Sequence, residues 1–322
     1  MNKIVAIIVT YNRKKLLKEC LEALLQLENE SCDILIIDNA STDHTQEYII
    51  EYLSQKNEKS TCIYEKVISD EFEFAFCNGK VQYYRTKENL GGAGGFHVGM
   101  ELAVQKGYSY IWIMDDDTIV QRDTLHELMK ADKQLDGNYG FLSSIAYWTD
   151  GSLCNMNRQR VSINGKLESL EGDITEIIMA TFVSFFIKAD TVRKVGLPIS
   201  EFFIWADDLE YSRRISKEMP CYAVSKSKVL HKMGSNAKVG IEQESKDRLW
   251  RYQYLYRNEV YVFRREGIKG YAYMFLRVML HCAKVLLKSN NGRMYKLKVL
   301  LSSFMNGFSF QPPIKYVKEE KK

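Results

Sequence analysis

Three consecutive carboxylates, Asp115, Asp116 and Asp117, directly follow an apolar run at residues 110–114 that is typical of a buried strand. Adjacent like charges beside apolar surface destabilise one another unless a cation lies against them. In an extended segment alternate side chains point the same way, so Asp115 and Asp117 can face one cation while Asp116 points elsewhere. Carboxylates and phosphate oxygens are ligands that Mg²⁺ and Mn²⁺ prefer. The run therefore favours a divalent cation carrying a diphosphate over a solvated acidic turn.

A second acidic cluster, Asp207, Asp208 and Glu210, follows the aromatic stretch at residues 202–205. One carboxylate at a helix N-terminus is ordinary because it stabilises the helix dipole, and this accounts for one of the three. Aromatic neighbours raise the pKa of a carboxyl group and make it a usable general base. We interpret the cluster as part of a functional site.

Two further motifs are ambiguous by themselves. Gly91, Gly92, Gly94 and Gly95 form a GGAGG run, which is typical of a flexible linker or of a backbone that closely approaches a bulky ligand. The run matches neither a P-loop nor the GxGxxG pattern after a first strand. A lone histidine such as His231 is more often structural, but it is the best nitrogen ligand available if two carboxylates hold a metal.

An aromatic and basic cluster near residue 255 also has two interpretations. Its members are Tyr252, Tyr254, Tyr256, Arg257 and Asn258. Packing of a helix onto the core and contact with ligand phosphates explain the cluster equally well.

Alternating strand and helix patterns must position these side chains. Residues 4–9 form an apolar run typical of a strand covered on both faces, leucines at helical spacing follow, and residues 34–37 form a second apolar run. This βαβ order predicts an α/β fold with a parallel sheet. Ligands of such sheets bind beyond the carboxyl ends of the strands. Polar residues occupy three predicted strand ends, at residues 10–13, 38–39 and 115–117.

The middle of the chain gives weaker signals. Residues 56–80 are weakly patterned and predict no motif. A short strand at residues 82–85 leads into the glycine run, and we expect the next helix from about residue 96 to residue 105.

The composition indicates a large, reduced, intracellular protein. The 322 residues are 46% hydrophobic and 27% charged, enough for one large domain or one domain with an appendage. Seven cysteines without a CxxC pair indicate free thiols in the cytoplasm. The N-terminal apolar run is too short for a signal peptide, and no uninterrupted run reaches the length of a membrane span. We therefore expect a cytoplasmic protein that does not cross a bilayer.

Positive charge is concentrated near the C-terminus. Residues 264–322 hold 13 Lys and Arg against 3 Asp and Glu, whereas the preceding residues hold 32 against 38. Between residues 271 and 301 apolar and basic residues alternate as in a basic amphipathic helix or helix pair on a membrane. We expect residues 1–262 to form the catalytic domain and residues 263–322 a basic helical tail. The expected partner of this tail is the inner face of the cell membrane and not nucleic acid. The alternative is that the tail packs against the catalytic domain.

Taken together, these residues resemble glycosyltransferases of family 2 with the GT-A fold. The matching segments are residues 9–13, 37–43, 115–117 and 207–208, together with His231. Within the family, residues 89–96, 114–117 and 203–208 are most similar to bacterial galactofuranosyltransferases, with rhamnosyltransferases second. The resemblance implies a Rossmann-like, mostly parallel central sheet flanked by helices, followed by a C-terminal helical appendage.

The resemblance also implies roles in binding the donor. The residues that would hold the uridine nucleotide are Thr10, Asn12, Arg13, Asp38 and Asp116. Asp115, Asp117 and His231 would coordinate Mn²⁺ or Mg²⁺ on the diphosphate and so stabilise the departing UDP. The glycine run, Gly91, Gly92, Gly94 and Gly95, would face the donor sugar.

On the acceptor side, the resemblance implies that Asp208 is the general base for in-line, inverting attack on the donor. Trp205, Asp207 and Glu210 would shape the acceptor site. The expected reaction is transfer of galactofuranose from UDP-galactofuranose to a glycan acceptor that is lipid-linked. Polymerising galactofuranosyltransferases have large extra domains that this chain lacks, so we expect the addition of one or a few sugars.

Three alternatives stay open at this point. The first is a rhamnosyltransferase or another nucleotide-sugar transferase of the same family. The second, a sugar nucleotidyltransferase, is disfavoured because residues 9–13 lack the glycine-rich signature of that class. The third is a nucleotide- or glycan-binding protein with a degenerate site, which the presence of Asp115, Asp117, Asp208 and His231 argues against.

Overall fold

The computed structural model describes residues 3–57, 65–68, 71–76, 79–168, 172–237 and 240–318. The strands are β1 (Ile4–Thr10), β2 (Asp33–Asp38), β3 (Glu65–Ile68), β4 (Glu71–Phe76), β5 (Gly79–Arg85), β6 (Tyr110–Asp115), β7 (Thr118–Val120), β8 (Phe141–Tyr147), β9 (Ile174–Ile177), β10 (Phe185–Lys188) and β11 (Cys221–His231). The α-helices are α1 (Lys14–Leu24), α2 (Thr45–Asn57), α3 (Gly91–Gln105), α4 (Thr124–Gln134), α5 (Ala189–Val195), α6 (Asp207–Ser216), α7 (Arg251–Phe263), α8 (Gly267–Lys288) and α9 (Arg293–Ser309).

The described strands form one mixed sheet in the order β3-β4-β5-β2-β1-β6-β10-β8-β11-β7, and β9 pairs with β11. β5, β2, β1 and β6 are mutually parallel, and β8 is parallel to β11. β10 runs antiparallel between β6 and β8, so β8 and β11 point the same way as β6. The predicted α/β fold with a mostly parallel central sheet is confirmed.

Each parallel strand contributes to two hydrophobic layers because successive side chains point to opposite faces of the sheet. Ala6 and Ile8 of β1 pack with α1, α2 and α4 on one face. Val5 and Ile7 pack with α3, α5 and α6 on the other. Burial on both faces explains why β1 is apolar throughout.

The C-terminal helices form a third hydrophobic layer beside the sheet. Val260 of α7, Met274 of α8 and Leu300 of α9 belong to it, together with Phe202 and Ala206. The predicted C-terminal helices are therefore present as the pair α8 and α9. α7 crosses the predicted boundary between residues 262 and 263 by one residue and shares the layer of α8 and α9. The boundary stays a prediction.

One described helical stretch, Arg251–Lys288, is long and apolar enough to cross a membrane by length and composition. It combines α7, a short turn and α8. The sequence did not suggest it because charged residues interrupt its apolar runs. Only 17% of its most apolar window is buried within the protein. Because α7 is mostly buried, the exposed apolar surface belongs to α8.

Candidate active site

The ends of neighbouring strands bring the first candidate residues together. β1 and β6 pair in parallel with Val9 opposite Asp115, and β11 pairs with β7 so that His231 lies opposite Thr118. Ligand atoms of Asp115, Asp117 and His231 consequently lie within 4.8 Å of one another. The three predicted metal ligands therefore share one place, at the carboxyl edge of the sheet.

Both ring nitrogens of His231 have partners. Nε2 lies 2.9 Å from Oδ1 of Asp117, and Nδ1 lies 2.9 Å from Oδ1 of Asn157. Burial alone would lower the pKa of this imidazole, but the contact with Asp117 outweighs burial and raises it. A polar partner on the second nitrogen is typical of metal-binding histidines because it fixes the ring. Asn157 lies in an irregular segment between β8 and β9, where no sequence motif indicated it.

The carboxylates of Asp115 and Asp117 repel one another. Burial and the neighbouring charge of Asp117 raise the pKa of Asp115, although His231 and Arg13 oppose this. A divalent cation between the carboxylates would keep both ionised. Two carboxylate oxygens and one imidazole nitrogen are also ligands suited to Mn²⁺, so the residues fit the predicted metal.

Arg13 supplies a cation from the chain itself. Its Nη1 donates to Oδ1 of Asp116 at 2.7 Å, and its Nη2 donates to Oδ2 of Asp117 at 2.6 Å. The hydroxyl of Thr10 donates to the second oxygen of Asp116 at 2.7 Å. Burial nevertheless raises the pKa of Asp116 to about 7. Asp116 therefore holds two side chains that are predicted to bind the nucleotide, and its own contact with the nucleotide stays a prediction.

Asp38 and Asn12 lie in the adjoining region, at the ends of β2 and β1. Asp38 is fully buried, with one oxygen accepting from the Tyr83 hydroxyl and the other from the backbone N–H of Ser41 at 2.9 Å. Oδ1 of Asn12 accepts the backbone N–H of Thr42 at 2.7 Å. Because both oxygens of Asp38 have protein partners, the carboxylate braces the loop after β2. Its predicted contact with uridine stays a prediction.

The glycine run forms the first turn of α3. This helix begins at Gly91 and not at about residue 96, as the sequence predicted. Gly91 has a φ of 70°, and a Cβ there would lie 2.1 Å from the carbonyl oxygen of Phe203. A Cβ at Gly94 or Gly95 would lie 2.5 or 2.4 Å from neighbouring side chains, whereas Gly92 has nothing within 4 Å. Close packing inside the protein therefore accounts for three of the glycines, and Gly92 leaves room for a ligand.

Gly91→Ala should lower the free energy of unfolding by about 2–4 kcal/mol, because a strained φ and a backbone clash add. Gly92→Ala is the matched control one residue away, and it should change stability by less than about 1 kcal/mol. Urea unfolding of both variants and the wild type measures the difference. Equal stability of the two variants would contradict the packing explanation.

The segment before α6 has a strained backbone. Phe203, Trp205 and Ala206 have φ values of 62°, 66° and 63°. Such values cost non-glycine residues about 1–3 kcal/mol each and cluster at functional sites. The ring of Trp205 packs edge-on against Tyr252 with centroids 5.2 Å apart. The strain therefore lies in the segment that leads directly into Asp207.

Asp207 and Asp208 lie within electrostatic reach of the first acidic cluster. Burial, together with the charge of Asp115, raises the pKa of Asp208 to about 6, although the backbone N–H of Leu209 and the charge of Arg160 oppose this. Burial and the charge of Asp208 raise the pKa of Asp207 well above its ordinary value. The charges of the two acidic motifs therefore influence one another. A carboxyl group with a pKa near 6 is suited to act as a general base at neutral pH.

Glu210 has a structural partner. Nε and Nη2 of Arg214 donate to its two carboxylate oxygens at 3.1 and 2.9 Å. The same guanidinium donates to the carbonyl oxygens of Val195 and Leu197 at 2.6 and 3.0 Å. This geometry joins α6 to the end of α5 and favours a structural role over the predicted role in the acceptor site. The spacing of four residues between Glu210 and Arg214 on a helix was the signal that could have indicated it.

The aromatic and basic cluster belongs to α7. Tyr252, Tyr256 and Asn258 are buried, and Nη2 of Arg257 donates to the carbonyl oxygen of Glu201 at 2.7 Å. Packing, one of the two interpretations from the sequence, accounts for these contacts.

Comparison with known proteins places this geometry in a family. The model of Glycosyl transferase family 2 matches residues 5–186. Galactofuranosyltransferase GlfT1 of Mycolicibacterium smegmatis is 24% identical over 281 residues, which cover 82% of this chain and 84% of that protein.

Solved structures of other glycosyltransferases share the fold. TarS of S. aureus in complex with UDP-GlcNAc has a TM-score of 0.51 at 15% identity, over 96% of this chain and 73% of that one. The mannosyltransferase PcManGT from Pyrobaculum calidifontis, in complex with GDP-Man and Mn²⁺, has a TM-score of 0.51 at 13% identity, over 97% and 76% of the two chains. Because the family model covers more than half of the chain, the protein belongs to glycosyltransferase family 2, with a GT-A fold and similarity to galactofuranosyltransferases.

Proposed function

We propose that the protein is a metal-dependent, inverting galactofuranosyltransferase with UDP-galactofuranose as donor and a glycan as acceptor. One observation supports this proposal: Asp117 and Asp208 have different surroundings, and the charge of Asp115 interacts with both carboxylates. Asp117 is held by Arg13 and His231, which suits a cation and its diphosphate. Asp208 has a raised pKa near 6, which suits proton acceptance. Similarity to GlfT1 over most of both chains supports galactofuranose as the sugar.

Asp115, Asp117 and His231 would hold Mn²⁺ or Mg²⁺. Their ligand atoms lie within 4.8 Å of one another, and Asn157 fixes the orientation of the imidazole. When bound, the cation supplies Lewis-acid stabilisation of the charge on the departing diphosphate. Arg13, whose side chain is 42% exposed, adds positive charge at the same edge of the sheet.

Thr10, Asn12, Asp38 and Asp116 would form the uridine pocket. They lie at or just beyond the carboxyl ends of β1, β2 and β6, where open α/β sheets bind nucleotides. Asn12 is exposed and available to a ligand, whereas Asp38 and Asp116 are buried and hold the surrounding loop and side chains in place. The complex of TarS with UDP-GlcNAc supports a uridine donor.

Asp208 would accept the proton of the acceptor hydroxyl as its oxygen attacks the anomeric carbon of the donor. The new carbon–oxygen bond forms on the face opposite the bond to UDP. That bond breaks with its electron pair leaving on UDP, so the anomeric configuration inverts. Trp205 and Asp207 would contact the acceptor, and the open space at Gly92 would admit the sugar.

The proposed acceptor is a lipid-linked glycan at the cytoplasmic face of the cell membrane. α8 presents a stripe of exposed apolar side chains that includes Leu276, Met279, Leu280 and Leu287, with exposed fractions of 60, 67, 62 and 79%. Every charged residue from position 267 to position 318 is Lys or Arg. An apolar stripe among positive charges suits the surface of an anionic bilayer. It would hold the active site close to a lipid-linked substrate.

The double substitution Leu276→Glu and Leu280→Glu should weaken binding to vesicles of anionic phospholipid at least about tenfold. Each buried leucine contributes about 1.5–3 kcal/mol, and the added carboxylates repel the lipid. Co-sedimentation with the vesicles measures this effect. Val161→Glu, at an apolar position of 44% exposure outside the helical tail, is the control and should bind as the wild type does. Unchanged vesicle binding by the double variant would contradict the proposed membrane surface.

A panel of nucleotide sugars tests the donor assignment. UDP-galactofuranose, other UDP-hexoses and dTDP-rhamnose are offered with a lipid-linked glycan acceptor, and nucleotide release is followed. We expect kcat/KM to be at least about tenfold higher for UDP-galactofuranose than for the others. Preference for dTDP-rhamnose would establish the rhamnosyltransferase alternative instead. Binding of a donor without turnover would indicate a binding protein with a degenerate site.

A further inference from the structure

The strained segment before the proposed base is held from outside along its whole length. Three non-glycine residues with positive φ within four positions persist only when surrounding contacts fix them. The carbonyl oxygens of residues 201–205 all accept hydrogen bonds from residues outside the segment. This part of the chain is therefore fixed by its carbonyl groups.

One side chain makes three of these contacts, and because its amide nitrogen carries two hydrogens, two of the carbonyl oxygens share one N–H. Nδ2 of Asn258 lies 3.0 Å from the carbonyl oxygen of Phe202, 3.2 Å from that of Ile204 and 2.8 Å from that of Trp205. The carbonyl oxygen of Phe203, between them, accepts from the backbone N–H of Ala93 at 3.2 Å. Asn258 is completely buried in α7, so water does not substitute for its amide.

A neighbouring arginine fixes the orientation of this amide. Nε and Nη2 of Arg257 donate to Oδ1 of Asn258 at 3.0 and 2.9 Å, which directs Nδ2 toward the strained segment. Arg257 also donates to the carbonyl oxygen of Glu201 at 2.7 Å and lies 3.8 Å from the ring centroid of Phe310. The C-terminal helical layer therefore reaches the active-site segment through two adjacent residues of α7.

We infer that Asn258 is a positioning residue for sugar transfer, because its amide holds the segment that aims Asp207 and Asp208 at the acceptor. The inference rests on the proposed function, in which Asp208 is the base. The segment enters α6 at Ala206, whose left-handed backbone forms the N-cap, so release of the carbonyls changes the direction in which Asp208 leaves the cap. The proposed metal ligands on the donor side have other partners, since Asp117 contacts His231 and Arg13. The described contacts of Asn258 are therefore separate from those of the donor side.

This separation gives the inference a specific signature. Transfer to the acceptor needs a correctly placed base, whereas slow release of UDP in the absence of acceptor needs the donor side. A displacement of about 1 Å in a reacting group can cost about a hundredfold in rate. Loss of Asn258 should therefore slow transfer far more than it slows hydrolysis of the donor.

The test compares Asn258→Ala and the isosteric Asn258→Asp with the wild type, using UDP-galactofuranose, Mn²⁺ and a lipid-linked glycan acceptor. For both variants we expect kcat for transfer to fall about a hundredfold, while UDP release without acceptor and the donor KM stay within about twofold. Ser303→Ala is the control, because Ser303 is buried among the C-terminal helices and its hydroxyl donates to the carbonyl oxygen of Val299 in its own helix at 2.6 Å. It should leave both reactions unchanged.

Two results would overturn the inference: a transfer rate in both variants within about threefold of the wild type, or equal losses of transfer and hydrolysis. If Asn258→Ala does not fold, Asn258→Asp decides alone, since it keeps the shape of the side chain and the pairing with Arg257. A wild-type protein that transfers no sugar in the same assay would refute the proposed function instead, so the two failures are distinguishable.

Discussion

Asp117→Ala should reduce metal-dependent sugar transfer at least about a thousandfold, equivalent to about 4 kcal/mol of transition-state stabilisation. Asp117 contacts Nε2 of His231 at 2.9 Å and Nη2 of Arg13 at 2.6 Å, so its loss removes a proposed metal ligand and one partner of each of these two groups, which keep Asn157 and Asp116 as their other partners. The measurement is the rate of UDP formation at saturating UDP-galactofuranose and acceptor over a range of Mn²⁺ concentrations.

The comparison needs a variant that is known to fold and a control substitution of a carboxylate outside the site. Asp117→Asn keeps the shape of the side chain, and circular dichroism shows whether each variant is folded. Asp150→Ala removes an exposed carboxylate in the turn after β8 and should behave as the wild type. A folded Asp117→Ala variant that keeps more than about a tenth of the wild-type rate would refute the assignment of this residue as a metal ligand.

Asp208→Asn should slow transfer about a thousandfold while leaving the dissociation constant of UDP-galactofuranose nearly unchanged, because an amide cannot accept the proton of the acceptor hydroxyl. In the wild type, the rate should fall as pH decreases through about 6, where burial places the pKa of Asp208. The measurements are single-turnover transfer, donor binding by calorimetry, and the pH dependence of kcat/KM.

Asp207→Asn is the matched control for this prediction, since Asp207 is adjacent and also has a raised pKa. We expect it to weaken acceptor binding and to retain a transfer rate well above that of Asp208→Asn. If Asp208→Asn abolished donor binding but turned over bound donor at the wild-type rate, the assignment of the base would be wrong.

Local patterns in the sequence were sufficient to predict the strands at the centre of the sheet. The continuous apolar runs of β1, β2 and β6 indicated strands covered on both faces, and the polar residues after them indicated one edge. The βαβ order also predicts that the strands are parallel, and the structure adds the register that places Val9 opposite Asp115. The residues predicted as metal ligands converge for this reason.

Partners that depend on long-range geometry gave no local signal. The weakly patterned residues 56–80 contain β3 and β4, whose hairpin extends the sheet beyond β5. Asn157 and Asn258 lie 74 and 53 positions away from His231 and Trp205, which they hold. Only the folded chain shows that single asparagine residues in an irregular segment and a helix support the site.

The glycine run and Glu210 have structural partners that the sequence analysis did not indicate. The run resembles a backbone that approaches a ligand, but a Cβ at Gly91 would lie 2.1 Å from the carbonyl oxygen of Phe203, so the protein itself requires glycine there. Glu210 belongs to the acidic motif, but Arg214 occupies both of its oxygens. In both cases the decisive atom belongs to the backbone or to a side chain one helical turn away.

The most direct test of the account is the rate of UDP formation by the purified wild-type protein with UDP-galactofuranose and a lipid-linked glycan acceptor, first in EDTA and then with added Mn²⁺. The account predicts no transfer in EDTA and saturable recovery of transfer as Mn²⁺ is added, because Asp115, Asp117 and His231 would hold the cation beside the diphosphate. Transfer at the same rate in EDTA and in Mn²⁺ would contradict it.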